Sequence, residues 1–295
     1  MKLILTNNIL MINMSKKSFF AKIAENILRF TKPKYMDSQI EIEDLLAKKS
    51  KVQEKPVKSL FKSTELNGMQ TFTFGNSENC KNTILYLHGG AYINEINYQH
   101  HLYCMKLSRK LDSYVIAPVY GLAPNHKAIE TFEAIECLYQ NLLKQDKNII
   151  LMGDSAGGGF VLSFAQYLKT VSLPQPKRII AFSPWVDISM SNPPYDSEND
   201  PILGEIGLRE IGKSWAGNLD TKDYRVSPIY GDKSDLAKTL IFAGEKEIFY
   251  KDIIKYVEDC ENAQLVTGEG LFHIYPLFPI PEAKKAFKEI EKEII

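Results

Sequence analysis

No surplus of either charge marks this sequence: 36 Lys and Arg stand against 36 Asp and Glu. Nothing in that balance points to nucleic acid or another polyanion. Cysteine is scarce. Cys80, Cys104, Cys137 and Cys260 are scattered, with no C-x-x-C or other metal spacing. They read as reduced thiols in a reducing compartment, and a cytoplasmic protein is the expectation. No run approaches the roughly 18–20 apolar residues of a membrane span. Internal repeats and low-complexity tracts are missing too. What is present is 295 residues, 44% hydrophobic, enough for one large core or for a core with a smaller lid.

The first 14 residues begin with Lys2 and are fairly apolar, but Thr6, Asn7, Asn8 and Asn13 interrupt the run and no small-residue cleavage site follows. A poorly ordered extreme N-terminus is expected. Residues 15–30 carry a helical pattern, with Phe19, Phe20, Ile23, Ile27 and Phe30 near one face and Lys16, Lys17, Lys22 and Arg29 elsewhere. A basic amphipathic helix can lie on a membrane surface or pack its apolar face on its own protein; self-packing is the expectation. Residues 37–50 read as a second short helix, and residues 51–59 as a polar link.

At residues 61–74 the period changes to two, with Asn67-Gly68 as the hairpin turn. Strands are then predicted at 83–87, 114–118, 148–152, 178–182, 239–243 and 263–267. Helices are predicted at 98–111, 128–144, 158–169, 251–260 and 282–294. Alternation of this kind indicates a mostly parallel sheet with helices on both faces, whose ligands sit at the carboxyl ends of the strands. Between Pro184 and Pro228 the rhythm breaks into turns around one short helix at 208–215, marking a candidate lid. The expected organisation is an N-terminal helical cap segment over 1–59 and a catalytic domain over 60–295, with a cap insertion at about 185–227.

Chemistry enters at Gly153-Asp154-Ser155-Ala156-Gly157, a G-x-S-x-G nucleophile elbow between a strand and a helix, the context this motif requires. Ser155 would project at the helix N-terminus, where the dipole favours negative charge. His88-Gly89-Gly90-Ala91 follows a strand directly. Such a loop can present backbone N–H groups to a developing oxyanion. Gly90 and Ala91, with the N–H of Ala156, are the expected donors, and Gly89 belongs to the same oxyanion loop and allows its turn. His88 comes straight off a strand and is expected to hold that loop through hydrogen bonds. His100, His101 and His126 lie in early helical or loop contexts, whereas His273 sits in a loop after the last predicted strand and is the candidate base. The acid should follow the preceding strand, where Glu245, Glu247 and Asp252 are all within reach. With any of them the order is Ser…acid…His, that of α/β-hydrolases.

Taken together, the chain resembles the hormone-sensitive-lipase-like branch of the α/β-hydrolase esterases. The resemblance runs from about Thr83 to Pro276. It rests on the His88-Gly-Gly loop, Tyr120-Gly-Leu-Ala-Pro124, Gly153–Gly158, Ser183-Pro184-Trp185, Asp200-Pro201, Ser227-Pro228, the stretch 244–252 and His273. It implies an α/β-hydrolase fold with a small helical cap, and a serine carboxylic-ester hydrolase acting on small or short-chain acyl esters through a Ser155-His273-Glu247 triad. By similarity the acid precedes an apolar pair, which is the position of Glu247 before Ile248-Phe249. Most members have Asp there, many have a third glycine at the position of Ala91, and many have Glu at that of Asn125. No metal or cofactor is implied. An amidase, formamidase or sugar deacetylase with the same triad is the alternative chemistry, and a non-catalytic binding protein on the same scaffold is the alternative class. Tyr92, Trp185, Trp215 and Phe272 are candidate pocket residues. The implied partner is a small-molecule ester, with no nucleic acid; a homo-oligomer is left open by the sequence.

Overall fold

The computed structural model describes residues 2–6, 9–13, 17–145 and 148–295. In chain order these residues form β1 (Lys2–Thr6), β2 (Ile9–Asn13), α1 (Phe19–Thr31), a 3-10 turn at Lys34–Met36 and α2 (Gln39–Lys49). The hairpin β3 (Ser63–Leu66) and β4 (Met69–Phe74) follows. Its turn residues Asn67 and Gly68 both hold positive φ, as the Asn-Gly signal requires. Then come β5 (Asn82–Leu87), α3 (Tyr98–Leu111), β6 (Ser113–Pro118), α4 (Ala128–Leu143), β7 (Asn148–Asp154), α5 (Ser155–Thr170) and β8 (Arg178–Phe182). After the irregular stretch, which holds α6 (Glu205–Ala216), the chain closes with β9 (Thr239–Gly244), α7 (Tyr250–Glu258), β10 (Ala263–Gly268) and α8 (Pro281–Ile294).

These strands make one ten-stranded sheet in the order β1-β2-β10-β9-β8-β7-β5-β6-β4-β3. All neighbours from β6 through β5, β7, β8 and β9 to β10 pair in parallel, and β4 joins β6 antiparallel. The strands read as nearly unbroken apolar runs because both faces are covered. Along β7, Ile149 and Leu151 enter the core built with Phe132 of α4 and with Phe160 and Phe164 of α5. Ile150 and Met152 enter the opposite core with Leu107 of α3 and with Phe287 and Ile290 of α8. A one-residue slip would exchange these two sets, so the packing fixes which strand ends stand level with Ser155.

The N-terminus differs from expectation in two ways. Only a poorly ordered extreme N-terminus is expected from the sequence, whereas among the described residues β1 and β2 form a hairpin whose second strand lies parallel to β10, with Met11 opposite Leu265 and Ile12 opposite Val266. The edge of β10 carries backbone groups that need partners, and the apolar runs on either side of Asn7 and Asn8 suit a strand; Met1, Asn7, Asn8 and Met14 lie outside the described residues.

The helix expected over 15–30 runs from Phe19 to Thr31, its first turn capped by Ser18 Oγ accepting from Ala21 N, with residues 15 and 16 outside the described residues. It packs on the protein through its small and charged side rather than its apolar one. Ala21 and Glu25 are buried and Ala24 and Leu28 are half-buried against the core, whereas Phe19 (71%), Phe20 (62%), Ile23 (42%), Ile27 (59%) and Phe30 (93%) are exposed. Charge decides the orientation. Buried Glu25 pairs with Lys17, with Arg29 at 3.0 Å and with Lys246 at 3.0 Å. Arg29 also donates to the carbonyls of Glu198 and Asn199 at 2.7 Å each. Among the described residues no helix is long and apolar enough to cross a membrane.

Candidate active site

β7 ends at Asp154 and α5 starts at Ser155, which takes φ +52°. A non-glycine residue in the left-handed region is strained and persists only where its surroundings enforce it. Here the enforcement comes from Gly157: a Cβ there would run into the carbonyl oxygens of Leu87 and His88, so only glycine lets α5 start this close to the end of β5. Ser155 is thereby held at the carboxyl edge of the parallel sheet, at the positive end of a 16-residue helix.

Ser155 Oγ lies 2.9 Å from His273 Nε2, and His273 Nδ1 lies 2.7 Å from Glu247 Oε2. His273 and Glu247 are fully buried. The carboxylate also accepts from Gly244 N through Oε1 at 3.2 Å. Burial raises the Glu247 pKa, against the downward pull of His273 and Ser183. The loops carrying the two residues are laced together. Glu245 N donates to Gly268 O and Lys246 N to Leu271 O, while Ser183 Oγ accepts from Ile274 N. The other two acid candidates are engaged elsewhere: Glu245 accepts from Gly270 N, and Asp252 from Asn192 Nδ2 and Tyr195 OH.

The loop after β5 is held by a second buried network. Asp154 accepts from Tyr86 OH at 2.6 Å, from Gly89 N at 3.0 Å and from His100 Nε2 at 3.3 Å. His100 Nδ1 accepts from Asn97 N in the capping box of α3, which leaves Nε2 as the protonated nitrogen. Against the upward push of burial, His100, Tyr86 and Gly89 hold the Asp154 carboxyl below its usual range. The N–H of Gly89 is therefore committed to Asp154 and free for no oxyanion. Gly90 at φ +123° and Ala91 at φ +53° turn the chain over Ser155, and among the described residues their N–H groups have no protein acceptor. Ala156 N–H, in the first turn of α5, has no intrahelical acceptor either. His88 does hold the loop: Nδ1 lies 2.7 Å from Gly89 O, its ring stacks on Tyr120 at 4.4 Å, and Tyr120 OH donates to His88 O. Burial brings its pKa down to about 3, so it stays neutral.

Beside Ser155 is a cavity of about 160 Å³ whose wall includes Tyr35, Met36, Asn94, Ile202, Leu203 and Ile274. None of the four expected pocket aromatics is in that wall. Tyr92, Trp185 and Trp215 are buried and stack on one another, Tyr92 and Trp215 at 4.2 Å and nearly parallel; Phe272 is buried in the core under α8. They are core because their neighbours are apolar rings, and because the hydroxyl of Tyr92 is used on Ala156 O at 2.7 Å. The real lining escaped the sequence reading. Tyr35 and Met36 belong to a 3-10 turn, and Ile202 and Leu203 to the irregular stretch, where no periodicity marks an inward face. The signal nearby was Asp200-Pro201. Asp200 Oδ1 accepts from Ile202 N and Leu203 N at 2.8 and 2.9 Å, and Oδ2 from Ile248 N at 2.9 Å. One carboxylate thus ties the cavity wall to the loop of Glu247. Among the described residues no group of His, Cys, Asp and Glu is placed to hold a metal ion.

Comparison with known proteins agrees with this geometry. A family model of the alpha/beta hydrolase fold matches residues 84–276. An esterase of Acinetobacter venetianus is 30% identical over 219 residues, covering 70% of this chain and 72% of its own. The crystal structure of a putative esterase from Staphylococcus aureus superposes with a TM-score of 0.79 at 27% identity, covering 88% of this chain and 95% of that one. A hormone-sensitive lipase from a metagenome library shares the fold, with a TM-score of 0.78 at 23% identity, covering 95% and 99% of the two chains. The sheet order, the elbow and these likenesses converge: the chain belongs to the esterases of the α/β-hydrolase fold.

Proposed function

We propose that Ser155, His273 and Glu247 are the triad of a carboxylesterase-type serine hydrolase that cleaves small, short-chain acyl esters. Membership in the esterase family carries the reaction class. The observation that carries the residue roles is the continuous Ser155–His273–Glu247 hydrogen-bond chain. His273 Nε2 takes the Ser155 proton as Oγ attacks the ester carbonyl, and Glu247 fixes the tautomer and faces the imidazolium that forms. The N–H groups of Gly90, Ala91 and Ala156 receive the oxyanion; losing one such donor typically costs about 10²–10³ in rate. The alcohol leaves with the proton from His273, an acyl-serine remains, and water activated by His273 releases the acid.

Substrate size follows from the cavity. A space of about 160 Å³ walled by Met36, Ile202, Leu203 and Ile274 suits an acyl chain of a few carbons. We assign the 3-10 turn, α2 and α6 to one cap over the site, since α2 and the turn both pack against α6, while α1 leads into the cap and packs against α8. Cys104, Cys137 and Cys260 are free thiols, which suits a cytoplasmic setting.

The test is a series of initial rates on p-nitrophenyl acetate, butyrate, octanoate and palmitate, with Ser155→Ala as the blank. The proposal expects a peak at acetate or butyrate and no rate above background in the variant. A peak at palmitate would refute the substrate class, and turnover retained by Ser155→Ala would refute the nucleophile.

A further inference from the structure

The feature that catalysis leaves unused is the outer face of α1. Phe19, Phe20, Ile23, Ile27 and Phe30 fall within about 100° of arc at the helical period, and all five are exposed. From their exposures this single strip presents about 600 Å² of apolar surface, at or beyond the largest patch of a typical monomer. The helix is pinned so that the strip must face outward. Its opposite side holds Glu25, clamped by Lys17, Arg29 and Lys246, while Ser18 is held by Glu282 through its backbone N–H and its hydroxyl.

Charge says what the strip faces. The chain as a whole is neutral, but residues 16–34 hold six basic residues, Lys16, Lys17, Lys22, Arg29, Lys32 and Lys34, and one acid, Glu25. That acid is buried and ion-paired with Lys17 and Arg29, and Lys32 pairs with Asp37, while Lys22 and Lys34 are exposed. An apolar helix face accompanied by the exposed Lys22 and Lys34 matches a surface with apolar depth and anionic headgroups. A second copy of the chain fits poorly. Two such helices would set like charges against each other, and a convex strip of about 600 Å² falls short of the roughly 800 Å² per partner of a standard interface. With 13 residues, α1 is too short to span the roughly 20 needed to cross a bilayer.

We infer that α1 docks the protein peripherally on an anionic lipid surface, with the Phe/Ile strip inserted at the headgroup boundary and the exposed Lys22 and Lys34 on the lipid phosphates. Pro33, which follows Phe30 by three residues, lines the cavity at Ser155. The docked helix therefore keeps the cavity within about 10 Å of chain from the lipid.

The experiment is co-sedimentation of the full chain with phosphatidylglycerol–phosphatidylcholine vesicles and with pure phosphatidylcholine vesicles. The wild type should pellet with the anionic vesicles at least tenfold more strongly than with the neutral ones. Phe20→Glu/Ile27→Glu should lose at least tenfold of that binding while hydrolysing p-nitrophenyl acetate at the wild-type rate, which reports an intact fold; the milder Phe20→Ser/Ile27→Ser serves if the first variant misfolds. Ser155→Ala should bind vesicles like the wild type, so lipid docking and ester hydrolysis stand or fall separately. No preference for anionic vesicles, or equal pelleting of the wild type and the strip variants, overturns the inference. So does a wild-type dimer in light scattering that the strip variants convert to monomer, because the strip would then be a self-association surface.

Discussion

Two buried histidine–carboxylate pairs flank Ser155, His273–Glu247 and His100–Asp154, and they do opposite things. In the first, histidine is the main partner of the carboxylate, and its far nitrogen reaches Ser155 Oγ at 2.9 Å. In the second, histidine is one of three donors on a carboxylate also held by Tyr86 OH and Gly89 N, and its far nitrogen accepts from the backbone of Asn97. The pKa directions follow from the donor count. Burial dominates at Glu247 and raises it; the three donors dominate at Asp154 and lower it. A carboxylate tied down from three sides holds a loop in place. One whose charge is poorly matched until its histidine becomes cationic is suited to stabilise that cation as it forms.

The comparison breaks most visibly in activity. Glu247→Gln should lower kcat on p-nitrophenyl acetate by about 10³–10⁴-fold, whereas Glu245→Gln and Asp252→Asn should stay within about tenfold of wild type, since neither carboxylate touches His273. The next effect is on stability. Asp154→Asn should cost about 3–5 kcal/mol in urea unfolding at pH 7, because it breaks a buried, hydrogen-bonded charge, and its rate should fall less than that of Glu247→Gln. The two variants should also differ in how pH acts. Asp154 has a folded pKa below 3.8, so its stabilisation is present above that value and is lost as pH falls toward the folded pKa; the deficit of Asp154→Asn should shrink on acidification below about pH 4. Glu247 has a folded pKa above 4.5, so ionising it weakens the fold as pH rises past 4.5. Relative to wild type, Glu247→Gln should gain stability over that rise. Unfolding curves at pH 3.5 and pH 7 check both signs. The smallest effect is expected from Tyr86→Phe, about 1.5–3 kcal/mol for one hydrogen bond to a charge, with activity nearly retained.

The floor of the site was legible in the sequence and its roof was not. Gly153, Ser155 and Gly157 sit where chain geometry permits few alternatives, and the apolar strands announce a sheet covered on both faces. Order along the chain singles out His273, because parallel strands deliver their following loops to one edge, but it leaves Glu245, Glu247 and Asp252 open; Glu247 is the choice that the family resemblance implies. For Tyr92, Trp185 and Trp215 the sequence offers only apolar bulk, which serves a core and a pocket equally well; the stacking among them decides for the core. For α1 the period revealed an amphipathic helix, but which face turns inward depended on Lys246 and Glu282, more than 200 residues away. The β1–β2 hairpin depended likewise on the free edge of β10.

The most direct test of the central claim is labelling with a fluorophosphonate, followed by peptide mapping and a comparison of labelling rates. The account predicts one adduct, on Ser155, formed at least about 10²-fold more slowly in Glu247→Gln, where the serine–histidine pair loses its support. In Asp252→Asn it should form at near the wild-type rate. An adduct on another serine, or equal labelling rates in wild type and Glu247→Gln, would contradict it.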